Sequence, residues 1–327
     1  MKALVYTGAE TLAYRDTPDP APGPGERALT VEAVGVCGSD MHAYLGHDER
    51  RPAPLILGHE AAGRLADGTR VVVNPLVTCG ACADCRAGRD NICAQRQIIS
   101  MPPREGAFAE RLAMPAENLI AIPDRVATEA AALTEPLACG WHAVSLAERV
   151  SQVPLAEAVC LAQGGGAIGL GAALALAARG AREIWLSETA DARRAVIEKA
   201  GDFRVFDPTV TDGPGADSAD IVIDGVGLAP TRAAASRAVR RGRVIVHIGL
   251  GSAEGGLDIR RATLQEIAFL GAYTYAKRDF RETAQAIFDG RMGALDWPET
   301  RPLSEGARAF DDLRAGRVAA PKIILKP

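Results

Sequence analysis

The sequence predicts a two-part α/β protein, in which a parallel-sheet nucleotide-binding domain is inserted between two pieces of a β-rich domain. Three observations lead there. The chain has 327 residues, more than one hydrophobic core usually serves. Up to about residue 140 it reads as many short strands with irregular loops. Beyond that point, apolar runs alternate with Ala-rich helical stretches, the pattern of βαβ units.

The elements follow in order. The Pro/Gly-rich stretch from Pro18 to Glu26 reads as a turn between strands, not a linker. Residues 27–36 alternate apolar and polar as a strand does. The segments EAAGRLA and RVVVN read as two strands around the turn Asp67-Gly68. Then come the repeating units: VCLAQ, a helix through Ala178; EIWLSE, a helix through Ala200; ADIVIDGVG, a helix through Val239; and VIVHIGLG. RDFRETAQAIFDG is expected to be a helix and PKIILKP a closing strand. The expected division is residues 1–139 with 276–327 for the β-rich domain, and 140–275 for the parallel-sheet domain.

Composition narrows the function classes. Hydrophobic residues are 48% and charged residues 24%, an ordinary globular balance. A net charge of −4 argues against a general nucleic-acid binder, which needs a basic footprint. No run of about 18 uncharged apolar residues suggests a membrane span, and MKALVYTGAE lacks the apolar core of a secretory signal. A cytoplasmic, reducing location is therefore expected. There, clustered cysteines point to metal before disulfides.

Gly164, Gly166 and Gly169 satisfy G-x-G-x-x-G, with Ala167 and Ile168 between the last two. A strand precedes the run and a helix follows it. Glycines there allow a tight turn and close approach to a pyrophosphate, while the helix N-terminus supplies N–H donors. Glu188 stands near the ~20-residue offset of an acid that accepts from the adenosine ribose. Its charge would repel a 2′-phosphate, so NAD is expected in place of NADP. Arg193 and Arg194 could approach a 2′-phosphate or stack on adenine. The bland alternative is a Gly-rich turn without a ligand.

Cys79, Cys82, Cys85 and Cys93 form C-x-x-C-x-x-C with a fourth cysteine eight residues on. Four thiolates close a tetrahedral zinc site and leave no open position, so this ion should be structural. An iron–sulfur cluster competes, but no Cys-Pro follows and there is no second motif. Elsewhere lie Cys37, His59, Glu60 and Glu135. Each alone has a bland reading as a small core residue, a satisfied histidine or a surface charge. Together they offer thiolate, imidazole and carboxylate, the donor set of an open catalytic zinc.

GVCGSDMH, GHEAAG, the four-cysteine loop, TEPLA and GGGAIGLG stand in the order found in the zinc-dependent medium-chain dehydrogenase/reductase family, which the chain resembles over nearly its whole length. It is most similar to the branch of polyol dehydrogenases. The resemblance implies a GroES-like catalytic domain and a Rossmann coenzyme domain with the active site in the cleft between them. It implies Cys37, His59 and Glu60 as ligands of a catalytic zinc. Glu135 would bind that zinc directly or through a water. Ser39 would accept the substrate proton, His42 would pass it toward solvent, and Asp40 would orient His59. Ile248, Gly249 and Leu250 would meet the nicotinamide through their backbone.

The reaction implied is hydride transfer between NAD(H) and a secondary alcohol or ketone, with two zinc ions per chain and a homodimer or homotetramer as the assembly. Thr274 stands where sorbitol dehydrogenases carry an arginine, so the polyol branch is indicated but not sorbitol itself. An aldonate, a polyol phosphate or threonine is the alternative substrate. Arg50 and Arg51 are candidate anion partners, set against a solvated loop. A metal-free reductase and a non-enzymatic NAD-binding relative are the competing classes, and the zinc-ligand set argues against both.

Overall fold

The computed structural model describes residues 1–327. Its contacts divide the chain into two units. The first comprises Met1–Glu135, Ala276–Asp289 and Pro298–Pro327; the second comprises Pro136–Tyr275 and Gly290–Trp297. The first boundary thus lies at 135/136 and not at the expected 139/140, and 290–297 group with the second unit and not with the β-rich part. Residue 139 lies inside the helix Thr134–Val150. That helix packs Leu137 on Gly171, so its body groups with the second unit.

The first unit is built on a seven-stranded sheet. Its continuous path runs Leu119–Ala121, Arg70–Val73, Glu60–Leu65, Glu26–Gly35, Ile323–Lys326 and Glu299–Pro302, and Arg111–Pro115 adds to Glu26–Gly35. The strand read at 27–36 is therefore Glu26–Gly35, and the hairpin around Asp67-Gly68 joins Glu60–Leu65 to Arg70–Val73. Closing strand Ile323–Lys326 pairs with Glu26–Gly35, setting Ile324 opposite Gly35. On the other side Gly35 faces Glu60. A smaller sheet joins Thr11–Asp16, Lys2–Gly8 and Leu55–Ile56. Leu4, Leu29, Leu57, Phe108, Met114 and Phe310 fill the core.

The second unit is a six-stranded, wholly parallel sheet. Its order is Arg204–Phe206, Glu183–Ser187, Val159–Gln163, Ala219–Asp224, Val239–His247, Ala268–Gly271. Numbered along the chain this is 3-2-1-4-5-6, the doubly wound order. Ligands of such sheets bind where the order reverses, beyond the carboxyl ends of the strands. Here that point lies after Gln163 and Asp224. The central strands Val159–Gln163 and Ala219–Asp224 are buried along their whole length, which is why they read as unbroken apolar runs. The helices at 167–178 and 229–238 lie close to the expected limits, but the helix read through Ala200 is shorter, Asp191–Ile197.

Candidate functional site

The strand Glu26–Gly35 ends at the site, and Cys37 follows it at the start of the short helix Gly38–Tyr44. Glu60 opens the neighbouring strand Glu60–Leu65, and His59 immediately precedes it. Side-chain ligand atoms of Cys37, His59 and Glu60 all lie within 4.8 Å of one another. His59 and Glu60 are buried; Cys37 is half-buried.

Asp40 organises this group. Its fully buried carboxylate accepts from the Cys37 amide at 3.0 Å and from the Gly58 amide at 3.2 Å, and lies 3.4 Å from His59 Nδ1. Burial pushes the Asp40 carboxyl up, but His59, Arg51 and the Cys37 amide outweigh it and hold the group below its usual range. Burial likewise works against a charged His59. Asp40 and Cys37 override it and raise the imidazole well above its ordinary value. Ser100 Oγ, 3.4 Å from His59 Nδ1, is a further neighbour.

Glu60 is fully buried, and its two oxygens differ. Oε1 accepts from Lys322 Nζ at 2.6 Å, whereas Oε2 has no hydrogen-bond partner. A Cβ built on Gly35 would overlap Oε2. The strand pairing thus needs glycine at 35 to leave room for an oxygen that nothing in the protein satisfies. Unpaired buried carboxylate oxygens are costly, and a thiol, an imidazole and the carboxylate that carries this oxygen, converging in one place, fit a zinc ion.

Glu135 is buried and falls outside this three-residue group, although its charge reaches Lys322. Ser39 sits on the helix after Cys37 and is half-buried; His42 is exposed one turn later, with no hydrogen bond between them. Tyr44 donates to Asp311 at 2.9 Å and is taken up by that contact. The two arginines considered for anions are also engaged. Arg50 pairs with Asp48 at 2.8 Å. Arg51 is buried and donates to Ser39 O, Ser100 O and Asp48. That constellation fixes the loop to the site and leaves no free anion fork.

Cys79, Cys82, Cys85 and Cys93 form a second group, their sulfurs within 4.8 Å of one another and none in a disulfide. The Cys82 and Cys85 amides point at the sulfurs of Cys79 and Cys82, at 3.4 and 3.5 Å. Backbone N–H groups of Ala81 and Cys82 pull the Cys79 thiol down to about 6, while burial and then the Cys82 and Cys93 thiols push Cys85 up to about 12. Four thiols so close cannot all ionise without a cation between them. Between residues 79 and 98 the only buried side chains are Asp90, Asn91 and Cys93, so no apolar core holds the lobe. Asp90 ties it instead to the Lys277 amide, at 3.0 Å.

In the second unit, the glycine run lies at the reversal of strand order. Gly164 has φ +93°, and Gly166 immediately precedes the helix Ala167–Ala178, which begins with Ala167, Ile168 and Gly169. A Cβ on Gly169 would overlap Gly164 O, which is why the helix can lie so close to the strand. Glu188 is nearly buried and accepts from the Gly165 amide at 3.0 Å and the Ala190 amide at 2.8 Å. Arg193 is 3.6 Å from the same carboxylate, and Arg194 bonds to Glu188 O and pairs with Asp207. A cavity of about 90 Å³ lies beside Gln163, Ser187, Phe206 and Pro208.

Ile248 and Gly249 donate their amides to Asp224 O at 2.9 and 3.0 Å. Leu250 is exposed. The Asp224 carboxylate accepts from the Val226 and Gly227 amides and from Thr231 Oγ1, and lies 3.2 Å from His247 Nδ1. Asp224 therefore fixes two loops at the end of the sheet. Sequence reasoning passed over Asp224 and Lys322, and it gave Arg51 a role as anion partner in place of the buried anchor it is. Only a buried aspartate ending the apolar run IVID gave a signal for the first.

Residues 23–124 match the alcohol dehydrogenase GroES-like domain, and residues 167–289 match the zinc-binding dehydrogenase family. The chain is 32% identical to sorbitol dehydrogenase of Bacillus subtilis, over 84% of this chain and 83% of that one. It is 30% identical to L-galactonate-5-dehydrogenase of Escherichia coli, over 90% and 89%. Among solved structures it is similar to acetophenone reductase of Geotrichum candidum in complex with NAD, with TM-score 0.88, 26% identity and coverage of 100% and 97%. The chain belongs to the zinc-dependent medium-chain dehydrogenase/reductase family, in its polyol dehydrogenase-like branch.

Proposed function

We propose that this chain transfers a hydride between NAD(H) and a secondary alcohol or its ketone, with a polyol as the substrate class. The observation that carries the reading is the convergence of ligand atoms from Cys37, His59 and the buried carboxylate of Glu60, one oxygen of which has no hydrogen-bond partner. Those three residues would hold the catalytic zinc. When bound, zinc acts as a Lewis acid that makes a hydroxyl more acidic. Asp40, 3.4 Å from His59 Nδ1, fixes the His59 ring and would leave its other nitrogen free to hold zinc. Ser39 receives the substrate's hydroxyl proton, and exposed His42 hands a proton to water. With no direct bond between the two, substrate, coenzyme or water must complete that path. Glu135 supplies a further buried negative charge near the site.

In the second unit, the Gly164–Gly169 turn and the following helix would bind the pyrophosphate. Glu188 would accept from the ribose 2′-hydroxyl, and its charge would disfavour a 2′-phosphate. The cavity beside Phe206 would take the adenine. The 248–250 backbone, held by Asp224, would face the nicotinamide, whose C4 carries the hydride.

Sorbitol and L-galactonate share a run of neighbouring hydroxyls, which supports a vicinal polyol here. L-Galactonate is itself an aldonate, so a polyol bearing a carboxylate stays within this class, although Arg50 and Arg51 already have partners and would not hold that carboxylate. Two copies of the chain would associate through the edge strand Ala268–Gly271, where Leu250, Ile259, Leu264 and Phe269 are exposed around an unpaired edge. No helix is long and apolar enough to cross a membrane; seven cysteines, none in a disulfide, favour a reducing, cytoplasmic setting. The test is a panel of neutral polyols, their acids and phosphates, and simple alcohols, each with NAD+ and NADP+. Turnover of vicinal secondary alcohols with NAD+ supports the reading. Activity confined to primary alcohols such as ethanol contradicts it.

A further inference from the structure

Gln163 ends the strand that leads into the glycine turn, and it is only 3% exposed. Its neighbours across the parallel sheet stand in register: Gln163 pairs with Ser187, and Ser187 with Phe206. Such residues project to one face of the sheet, and so does Leu161, two positions before Gln163. All four line the cavity of about 90 Å³, whose facing wall is the helix Ala229–Ala238 at Ala234 and Ala238. Two local features keep that space open. Ser187 is small. The crossover from Arg204–Phe206 to Ala219–Asp224 contains no helix, so loop residues such as Pro208 and Thr211 close the cavity in place of a packed helix. Gln163 brings to this space an amide that is only half used. Nε2 donates to Thr231 O at 3.1 Å, and Oε1 is buried with no hydrogen-bond partner. The bond to Thr231 fixes the amide's orientation, because turning it over would set Oε1 against a carbonyl oxygen. An unpaired buried acceptor is costly, and a ligand that brings an N–H donor relieves it.

We propose that Gln163 is the residue that reads the coenzyme's base: its Oε1 accepts from the 6-amino group of adenine, and the site thereby selects adenine dinucleotides over hypoxanthine ones. The inference rests on the reading of this cavity as the adenine site. Adenine offers what the cavity lacks, a flat ring to lie against Leu161 and Phe206 and an amino group at the ring's edge for the unpaired acceptor. Hypoxanthine carries a carbonyl oxygen where adenine carries the amine. That oxygen would meet Oε1 acceptor to acceptor, and the amide cannot turn to present Nε2 without giving up Thr231 O. A site built around a hydrogen bond rejects the analogue that cannot make it. Glu188 would then select the ribose and Gln163 the base, from the ends of two neighbouring strands.

The experiment measures the affinity of NADH and of reduced nicotinamide hypoxanthine dinucleotide, by the fluorescence of the reduced nicotinamide. It uses the parent, Gln163→Met, Gln163→Leu and Ala234→Phe. The parent should favour the adenine form by about tenfold to a hundredfold, the scale of leaving a buried acceptor unpaired. Either truncation should erase that preference by weakening the adenine form, with kcat on a polyol at saturating coenzyme little changed. A merely structural role for Gln163 would weaken both coenzymes alike and leave their ratio as in the parent. Two truncations of different shape keep the test in hand if one fails to fold. A parent that treats the two bases alike overturns the proposal, as does a folded truncation that keeps the parent's ratio. Ala234→Phe fills the cavity from its helix wall and separates this failure from a deeper one. If it leaves NADH affinity unchanged, the adenine lies elsewhere and the reading beneath the proposal falls. If it weakens NADH by about tenfold or more while the parent shows no preference, the base is here and Gln163 does not read it.

Discussion

The two candidate metal sites of the first unit are built on opposite plans. The lobe at 79–93 gathers four sulfurs on an exposed loop, with backbone amides as their only nearby donors. The site at Cys37, His59 and Glu60 gathers three unlike ligands at the ends of paired strands, and every one has a dedicated partner: the Asp40 carboxylate for Cys37 N and His59, and Lys322 for Glu60. Where an ion only replaces a missing core, four like ligands close it off and nothing behind them matters much. Where an ion must keep a position free for substrate, the protein supplies fewer ligands and controls each from behind.

Substitution of one ligand in each site should separate them most sharply. Cys37→Ser should lower kcat/KM by about 10³-fold or more, the several kcal/mol that a Lewis acid supplies, with the melting temperature little changed. Cys85→Ser should do the reverse, lowering Tm while each molecule still folded keeps its activity. Steady-state kinetics beside thermal unfolding decides; equal loss of stability in both would erase the distinction.

A smaller effect is expected one step behind the ligand. Asp40→Asn keeps the shape but removes the charge that orients His59, and should weaken the catalytic ion by about 10–100-fold, read by competition with a chelator. The lobe's ion should be unaffected. Asp90→Asn, the lobe's own anchor to the Lys277 amide, should change Tm only slightly and metal affinity not at all.

Proton linkage should also differ. In the metal-free protein His59 is raised well above its ordinary 6.5. A raised folded value means stabilisation that is complete below 6.5 and is lost as pH rises through the raised value. The loaded protein holds His59 neutral and lacks that contribution. The rise in Tm on returning the catalytic ion should therefore shrink as pH falls from the alkaline side toward 6.5. A constant rise across that range would show that His59 is not a ligand.

The coenzyme end offers the mildest test. Glu188→Ala should leave the fold intact and reduce the preference for NAD+ over NADP+, measured as the ratio of kcat/KM. If the parent already prefers NADP+, Arg193, close to the Glu188 carboxylate, becomes the residue to change.

What could be read in the sequence was whatever has a local signature. The central strands of the parallel sheet are continuous apolar runs, the glycine turn has its spacing, and the cysteine lobe has its own. Cys37, His59 and Glu60 come from two segments whose motifs sit close to one another in the chain. Lys322 could not be read this way, because it reaches Glu60 only through strand register across 262 residues. Nor could Arg51: as a sequence it stands beside Arg50 in a charged loop, yet in the structure it is buried and bonded to backbone carbonyls. The short edge strands Arg204–Phe206 and Ala268–Gly271 were also missed, since three or four residues carry no periodicity to detect. The register of long-range strand pairs, not residue type, decided these.

The most direct measurement is zinc per chain, by elemental analysis, in gently purified parent, Cys37→Ser and Cys85→Ser proteins. Two ligand groups predict two ions in the parent and one in each variant, with activity lost in Cys37→Ser and retained by folded Cys85→Ser. A parent that is fully active with one ion or none, or a Cys37→Ser protein that still holds two, would contradict the account.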